Sequence, residues 1–510
     1  MNDLTSGMAQ GVRASIFWPS MRLTVICLCA ILFGMVGCAR IPADHDTLPQ
    51  QDLASVQLAP NIKLARDGWP QAQWWTRYGD EQLNQLMTQA LKDGPTLQVA
   101  GARIGSARAA LKLDRADLGA DVARDATINR QRYSANGLFP PPIGGRYYGE
   151  STLRLMAGYD LDWWGKRRAA IEAAVGEVNA RRAEYAQAEQ TLAASIVQSY
   201  FNLQAGAARL ANVEKMRGAQ RSLVADRSKR VAHGLASIDE QRKTEEDLAG
   251  LNEQHAALAA QYGRELEALR ALLGADSHAL ASFAPHALPD VPDSLPTNLG
   301  IELLARRPDL QAARWRIEAS LSRIEAAQAA FYPDINLSSF FGFDALSIDN
   351  LMKASSRTPF IGSTLSLPLF DSGRLQARLG VARIQRNEII ADYNQSVFVA
   401  VRDVAQSGVA LQGLEIQTRE QAASAAAIQA LMNTASARFN QGLIDHSTLL
   451  SAEMAVLKQE DASLQLKNQQ LQAEVALIKA LAVSYTHLRA HETSLHLVCR
   501  LLLEKRERYR

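Results

Sequence analysis

The chain has 510 residues, with 55 Lys and Arg against 53 Asp and Glu, and only 6% aromatic residues. The near balance of charge argues against a general nucleic-acid binder, which carries a basic excess on at least one domain. Few aromatics and many small residues suit closely packed helices better than one large globular core. Cys27, Cys29 and Cys38 lie in or just after an apolar N-terminal run and Cys499 lies near the C-terminus, so the body offers no disulfide framework and no cysteine zinc site.

In chain order, residues 21–38 ("MRLTVICLCAILFGMVGC") place one arginine ahead of an apolar run of about a dozen residues. That is the length of a signal-peptide core and short for a membrane span. Met35-Val36-Gly37-Cys38 resembles a bacterial lipoprotein box, in which cleavage leaves Cys38 as the lipid-bearing first residue. Residues 1–37 are thus expected to be a signal peptide and 38–66 a lipid-anchored N-terminal segment. By the same resemblance Ala39, in place of aspartate, favours the outer membrane. An ordinary signal peptide with an incidental cysteine is the alternative.

All seventeen prolines precede residue 369, and residues 143–284 and 369–510 contain none. Proline breaks helix interiors, so these stretches permit very long helices. The proline-rich "APHALPDVPDSLP" (284–296) marks a linker at 285–298 between two halves. The halves echo each other. "GPTLQVAGARI" (94–104) matches "RPDLQAARWRI" (307–317), and "DLDWWGKRR" (160–168) matches "PLFDSGRLQ" (368–376), with Gly165 opposite Gly373. The dipeptide Gly442-Leu443 likewise repeats Gly234-Leu235, 208 positions earlier (442 − 234). Two structural repeats follow, 67–284 and 299–482.

Each repeat is expected to run helix, paired strands, then helical hairpin. In the first, strands at about 121–162 place Leu153, Leu155, Ala157, Tyr159 and Leu161 on one face; the segment at 121–133 has the weakest pattern. In the second, strands at about 334–370 align Ile335, Leu337, Phe341 and Phe343, then Ile361, Leu365, Leu367 and Leu369. Alternating segments of about ten residues match membrane-spanning β-strands; a half-buried sheet in a soluble domain is the alternative. Turn-rich "SANGLFPPPIGG" (134–145) and "DALSIDNLMKASSRT" (344–358) supply the loops. Helical hairpins follow at 166–284 and 374–482. Their first arms, 167–233 and 375–441, would each be about 100 Å long at ~1.5 Å per residue. Tyr185, Ala188, Leu192, Ile196, Tyr200 and Leu203 recur near the 3.5-residue period of a coiled-coil seam. Gly234 and Gly442 are read as the reversals, because glycine accepts the positive φ of a helix end.

Four strands cannot close a solute-sized barrel, and open edges are not tolerated in lipid, so the chain must assemble with copies of itself. The fold class is mainly α with a small transmembrane β part. "WWTRYGDEQLNQL" (74–86), "LLARRPDLQAARWRIEASLSRIEAAQAAFYPDINL" (303–337), "LPLFDSGRL" (367–375) and "RFNQGLIDHSTLLSAE" (438–453) carry a resemblance to the outer membrane efflux proteins of the TolC superfamily, in the lipoprotein NodT branch. "GWPQAQWW" (68–75), "NRQRYSANG" (129–137) and "YNQSVFVAVRDVA" (393–405) are similar to multidrug- and fusaric-acid-resistance ducts of that superfamily.

The resemblance implies a homotrimer with a 12-stranded β-barrel over an α-helical barrel, anchored in outer membrane lipid and reaching into the periplasm. It implies docking to a periplasmic membrane-fusion adaptor and an inner-membrane pump. Family members close the periplasmic tip with rings of residues just after the second glycine turn. Carried over by position, the gate candidates are Ser447, Thr448, Leu450 and Ser451. Ser451 stands where an aspartate is usual, which predicts a leakier, anion-tolerant tip suited to acidic aromatic compounds; neutral drift with closure by Leu450 is the alternative. Gly234, Leu235, Gly442 and Leu443 resemble the tip motif that meets adaptor hairpins.

Arg306, Arg307 and Asp309 are read as a helix start held by local charge pairs. Trp74, Trp75, Trp163 and Trp164 are read as packing or membrane-interface residues, with ligand platforms as the alternative. No Ser/His/Asp arrangement, phosphate loop or supported carboxylate pair occurs, so no catalytic residue, cofactor, metal or nucleic-acid partner is expected. Residues 483–510 break character and resemble translated cloning or adapter sequence. His487, His491, His496 and Cys499 form a metal-binding alternative there. The expected function is a passive exit duct for drugs or toxic small compounds. A type I protein-secretion duct and a non-conducting periplasm-spanning scaffold are the alternatives.

Overall fold

The structure is a computed structural model that describes residues 41–52, 73–290 apart from 277, 279 and 282, and 301–481 apart from 369. The expected signal peptide, Cys38 and the tail at 483–510 lie outside the described residues, as do Leu369 and most of the linker. The described residues form two compact units. One contains 41–47, 111–175 and 319–387; the other contains 48–52, 73–110, 176–318 and 388–481. Each unit draws on both sequence repeats.

The first unit holds a four-stranded antiparallel sheet in the order β1-β2-β3-β4: β1 Asp121–Arg132, β2 Tyr147–Leu161, β3 Asp334–Ala345 and β4 Arg357–Ser366. The register sorts its faces. Leu155 of β2 pairs with Arg124 of β1 and Phe341 of β3; Tyr159 pairs with Leu337, and Leu161 with Ile335. Ile335 in turn faces Leu365, and Ser339 faces Ile361. Because side chains alternate along a strand and paired residues share a face, the apolar sets of β2, β3 and β4 fall on one side, where β1 adds Val122, Ala126 and Ile128 together with Arg124, Arg130 and Arg132. Leu155, Phe341, Ile361 and Leu365 are more than half exposed there.

Strand limits differ from the sequence expectation at three points: β3 runs to Ala345 and β4 starts at Arg357, both inside the expected loop at 344–358, and β4 stops short of 370. β2 begins at Tyr147, since residues 147–150 pair with Asn129–Arg132. β4 ends at Ser366, before Leu367, because Pro368 cannot donate to a ladder. Just after β2, Trp164 stacks on Tyr332 (4.6 Å between ring centroids, 17° between planes) and donates to the Pro333 carbonyl at 3.0 Å. Trp163 stays exposed. In the same unit residues 41–47 run beside a helix, where Asp44 pairs with Arg386 and lies 3.6 Å from Arg383. No helix among the described residues is long and apolar enough to cross a membrane.

The helices come in matched sets. α1 (Glu81–Asp93) leads into α2 (Pro95–Ala116). α3 (Lys166–Ala232) and α4 (Ile238–Leu273) form one hairpin. α5 (Pro308–Ala329) is, like α2, 22 residues long and opens on a proline, which is preorganised for a first helical turn. α6 (Arg374–Asn440) and α7 (His446–Ala480) form the second hairpin. α3 and α6 have 67 residues each, about 100 Å along the axis. Neither contains a proline.

In the second unit Leu192, Ile196, Tyr200 and Leu203 of the expected seam are buried in one cluster with Leu83, Met87, Phe201, Leu471 and Val475. Tyr185 and Ala188 pack against it. Ala180, Ala183 and Ala312 form a second contact made of methyl groups, which lets α3 and α5 approach closely. Trp74 and Trp75 belong to the main core, edge to face at 6.0 Å. Arg307 is buried, paired with Asp309 at 2.7 Å, and donates to the Ala480 carbonyl at 2.8 Å. The guanidinium is spent on the start of α5 and the C-terminal end of α7, in keeping with a packing role.

Candidate functional site at the hairpin tips

Both hairpins turn by the same local chemistry. At the end of α3 the Gly234 amide donates to the Val231 carbonyl (2.9 Å) and the Leu235 amide to Arg230 (2.7 Å). At the end of α6 Gly442 donates to Phe439 (2.9 Å) and Leu443 to Arg438 (2.9 Å). This pair of hydrogen bonds closes a helix when the residue just past its end takes a left-handed conformation, and Gly234 and Gly442 have φ of 69° and 70°. The leucine after such a glycine ordinarily packs back on its own helix. Leu235 and Leu443 are instead 69% and 67% exposed, with Ile238 also exposed. Each tip therefore carries exposed apolar surface.

The chain restarts through strong caps. Ser237 accepts from the Glu240 amide at 3.2 Å, a capping-box spacing. Asp445 caps α7 by accepting from the Thr448 amide at 2.9 Å and the Thr448 hydroxyl at 2.5 Å. These bonds from Thr448, and then Arg230, hold the Asp445 carboxyl far below the usual carboxylate range. Arg230 reaches it at 2.5 Å, so the last turn of α3 is tied to the first turn of α7. One turn back, Arg227 pairs with Glu240 at 2.9 Å. Further along the same helices the less exposed Arg209–Asp461 pair is bidentate, at 2.9 and 3.0 Å. Beside it the Asn212 amide donates to the Leu457 carbonyl at 2.7 Å.

The four gate candidates share two turns of α7 but not one surface. Ser447 and Leu450 are buried, and Leu450 packs with Val213, Met216 and Met454. Thr448 and Ser451 have exposed side chains, and the Ser451 hydroxyl donates to the Ser447 carbonyl at 2.8 Å. Sequence reasoning found these turns and missed the charge ties across them. The place of Asp445 before "HST" is the local signal that could have marked it as a helix cap; Arg230 and Arg209 lie more than two hundred residues from their partners, where no local pattern points to them.

Higher on α3, Glu189 is buried with its Oε2 unpartnered among the described residues. Burial raises its carboxyl from an ordinary 4.5 to about 7. The folded state thus takes up a proton that the unfolded state has already lost. Stability from this group is full below about pH 4.5, falls as pH rises to about 7 and is flat above, a span of at most roughly 3 kcal/mol. Glu189→Gln is expected to raise the thermal midpoint at pH 8 and to change it little at pH 5. An equal shift at both would exclude ionisation as the cause.

Long paired helices with apolar, outward-facing tips, encoded in one chain with a sheet apolar on one side and open at both edges, define a subunit of an outer-membrane duct. The chain belongs to the outer membrane efflux protein family, whose profile matches residues 86–275 and 299–483. It is 38% identical to the multidrug resistance outer membrane protein MdtP of Shigella flexneri over 477 residues, covering 91% of this chain and 97% of that one. It is 36% identical over 463 residues to the multidrug resistance outer membrane protein MdtQ of Escherichia coli O157:H7, with 89% and 97% covered. The solved outer membrane protein VceC of Vibrio cholerae matches with a TM-score of 0.71 and 30% identity, over 82% of this chain and all of that one. The chain is an outer membrane efflux channel protein.

Proposed function

We propose that three copies join their strands into one 12-stranded barrel in the outer membrane and their hairpins into a periplasmic tube, forming the exit duct of a tripartite efflux system. The duct is passive and carries no catalytic residue; a periplasmic membrane-fusion adaptor and an inner-membrane pump supply the compound and the energy. The observation that carries this reading is the strand register. The alternating apolar sets of β2, β3 and β4 share one face, and β1 and β4 each keep an unpaired edge that lipid does not tolerate.

Cys38 carries the lipid, and residues 41–52 lead the chain from it along α6. Leu235, Gly234, Leu443 and Gly442 meet the adaptor, since they are the apolar, exposed points of both hairpins. Thr448 and Ser451 line the periplasmic entrance, while Ser447 and Leu450 fasten the gate helix from within. The domain plan is the repeat pair 67–284 and 299–482 joined at 285–298. Planar-bilayer recording of the purified trimer tests the duct: discrete current steps are expected. A silent bilayer, even after the Arg230–Asp445 tie is removed, would favour a scaffold.

A further inference from the structure

The sheet face opposite the apolar one has its own anomaly. It carries Asp121, Asp125, Thr127 and Asn129 on β1, with Glu150, Thr152, Asn336 and Thr364 on the other strands, and in the barrel reading it lines the aqueous interior. Phe340 and Phe360 stand out on this polar face, with Met156 beside Phe340 on β2 and Tyr148 farther along that strand. The two phenylalanines are direct partners across β3 and β4, with rings stacked at 5.1 Å and 19°. Phe360 is 47% exposed. Neither lipid nor a packed core accounts for an aromatic pair on this side. The chain also clears space for it: a β-carbon at Gly362 would lie 2.7 Å from the Phe360 ring tip, and one at Gly342 would lie 2.7 Å from Arg154 Cγ. Over the bare Gly342, Arg154 sets its guanidinium 5.2 Å from the Phe340 ring centre and is held there by Asp344 at 3.2 Å. A planar cation already rests on one side of this platform.

The charge of the face favours more of the same. Arg154 is its one basic residue, and it is matched by Asp344. Asp160 pairs with Arg167 and Asp334 with Lys166. Asp121, Asp125 and Glu150 have no ion-pair partner among the described residues. Rings of such carboxylates attract cations and repel anions.

We propose that the Phe340–Phe360 stack is a transit subsite for planar aromatic cations, an assignment that rests on the barrel reading above. A flat cation gains stacking on Phe360, cation–π attraction and the field of the unpaired carboxylates. An aromatic anion gains only the stacking and meets repulsion. The strand face therefore points away from the acidic aromatic compounds that the hydroxyl-bearing gate positions suggested.

Ethidium titrated into the purified full-length assembly in detergent, followed by fluorescence anisotropy, tests the subsite. Saturable binding is expected, weakened roughly tenfold by Phe360→Leu. It should be retained in Phe360→Tyr, which keeps the ring. Tetramethylammonium, with the charge but no ring, should compete poorly, as should 2-naphthoate. If Phe360→Leu fails to assemble, Phe340→Leu carries the same expectation. Unchanged affinity in the leucine variants, equal competition by tetramethylammonium or 2-naphthoate, or no saturable binding overturns the proposal. The titration requires no current, so absent binding in a conducting channel removes the subsite and leaves the duct standing.

Discussion

Arg230→Ala is expected to raise the resting conductance of the assembled channel severalfold. Arg230 is the last-turn residue of α3 whose guanidinium holds Asp445, the cap of α7, at 2.5 Å. The substitution leaves that cap intact, because Thr448 supplies its amide and hydroxyl independently. It therefore separates the tie between hairpins from the integrity of the helix start. Asp445→Ala removes both, adding a capping loss of about 1 kcal/mol. The pair is partly exposed, so salt should act as a weaker copy of the mutation. At ~1 M salt the screening length falls to about 3 Å, and the wild-type channel should leak more than bulk conductivity explains. Arg230→Ala should show no such excess, and Arg230→Lys should fall between. Single-channel recording of the three proteins at two salt concentrations reads this directly. Equal resting currents would mean that helix packing around Leu450 alone keeps the entrance shut.

The features read from sequence are those written in local periods. Proline-free stretches gave two first arms of 67 residues, each within one residue of its position in the structure. Glycine before an apolar residue marked both reversals, and the 208-residue repeat placed one opposite the other. Alternation placed Leu153 to Leu161 and Ile335 to Phe343 on one face, and the register joined them across strands. "SSFFGF" was read only for Phe341 and Phe343. Phe340 has the opposite parity, and its partner Phe360 is set by a register that only the β3–β4 pairing reveals. The candidate gate positions show a similar limit. A motif carried by resemblance points to a stretch of helix, but 100° per residue separates Leu450 on the packed side from Ser451 on the open side. Charge pairs across hairpins have no local signature, because residues far apart in sequence carry them.

The largest stability loss is expected from one such pair. Asp461→Ala should destabilise the assembled protein by about 3–5 kcal/mol, the usual cost of stranding one member of a sheltered ion pair. The side chains of Arg209 and Asp461 are 20% and 12% exposed and bind through two parallel bonds. Removing the carboxylate leaves the sheltered guanidinium with both bonds lost. The loss should exceed that of Arg230→Ala, whose pair lies in more solvent and is screened. Because the cost comes from the orphaned charge, Arg209→Met combined with Asp461→Leu should recover most of the stability, by analogy with buried pairs replaced by packed apolar residues. Asn212, still bonded to the Leu457 carbonyl, keeps α3 in register with α7 in the double variant. Thermal unfolding of Arg209→Met, Asp461→Leu and the double variant closes the cycle. A double variant as unstable as the worse single one would show that the bonds themselves, and not the stranded charge, hold the helices together.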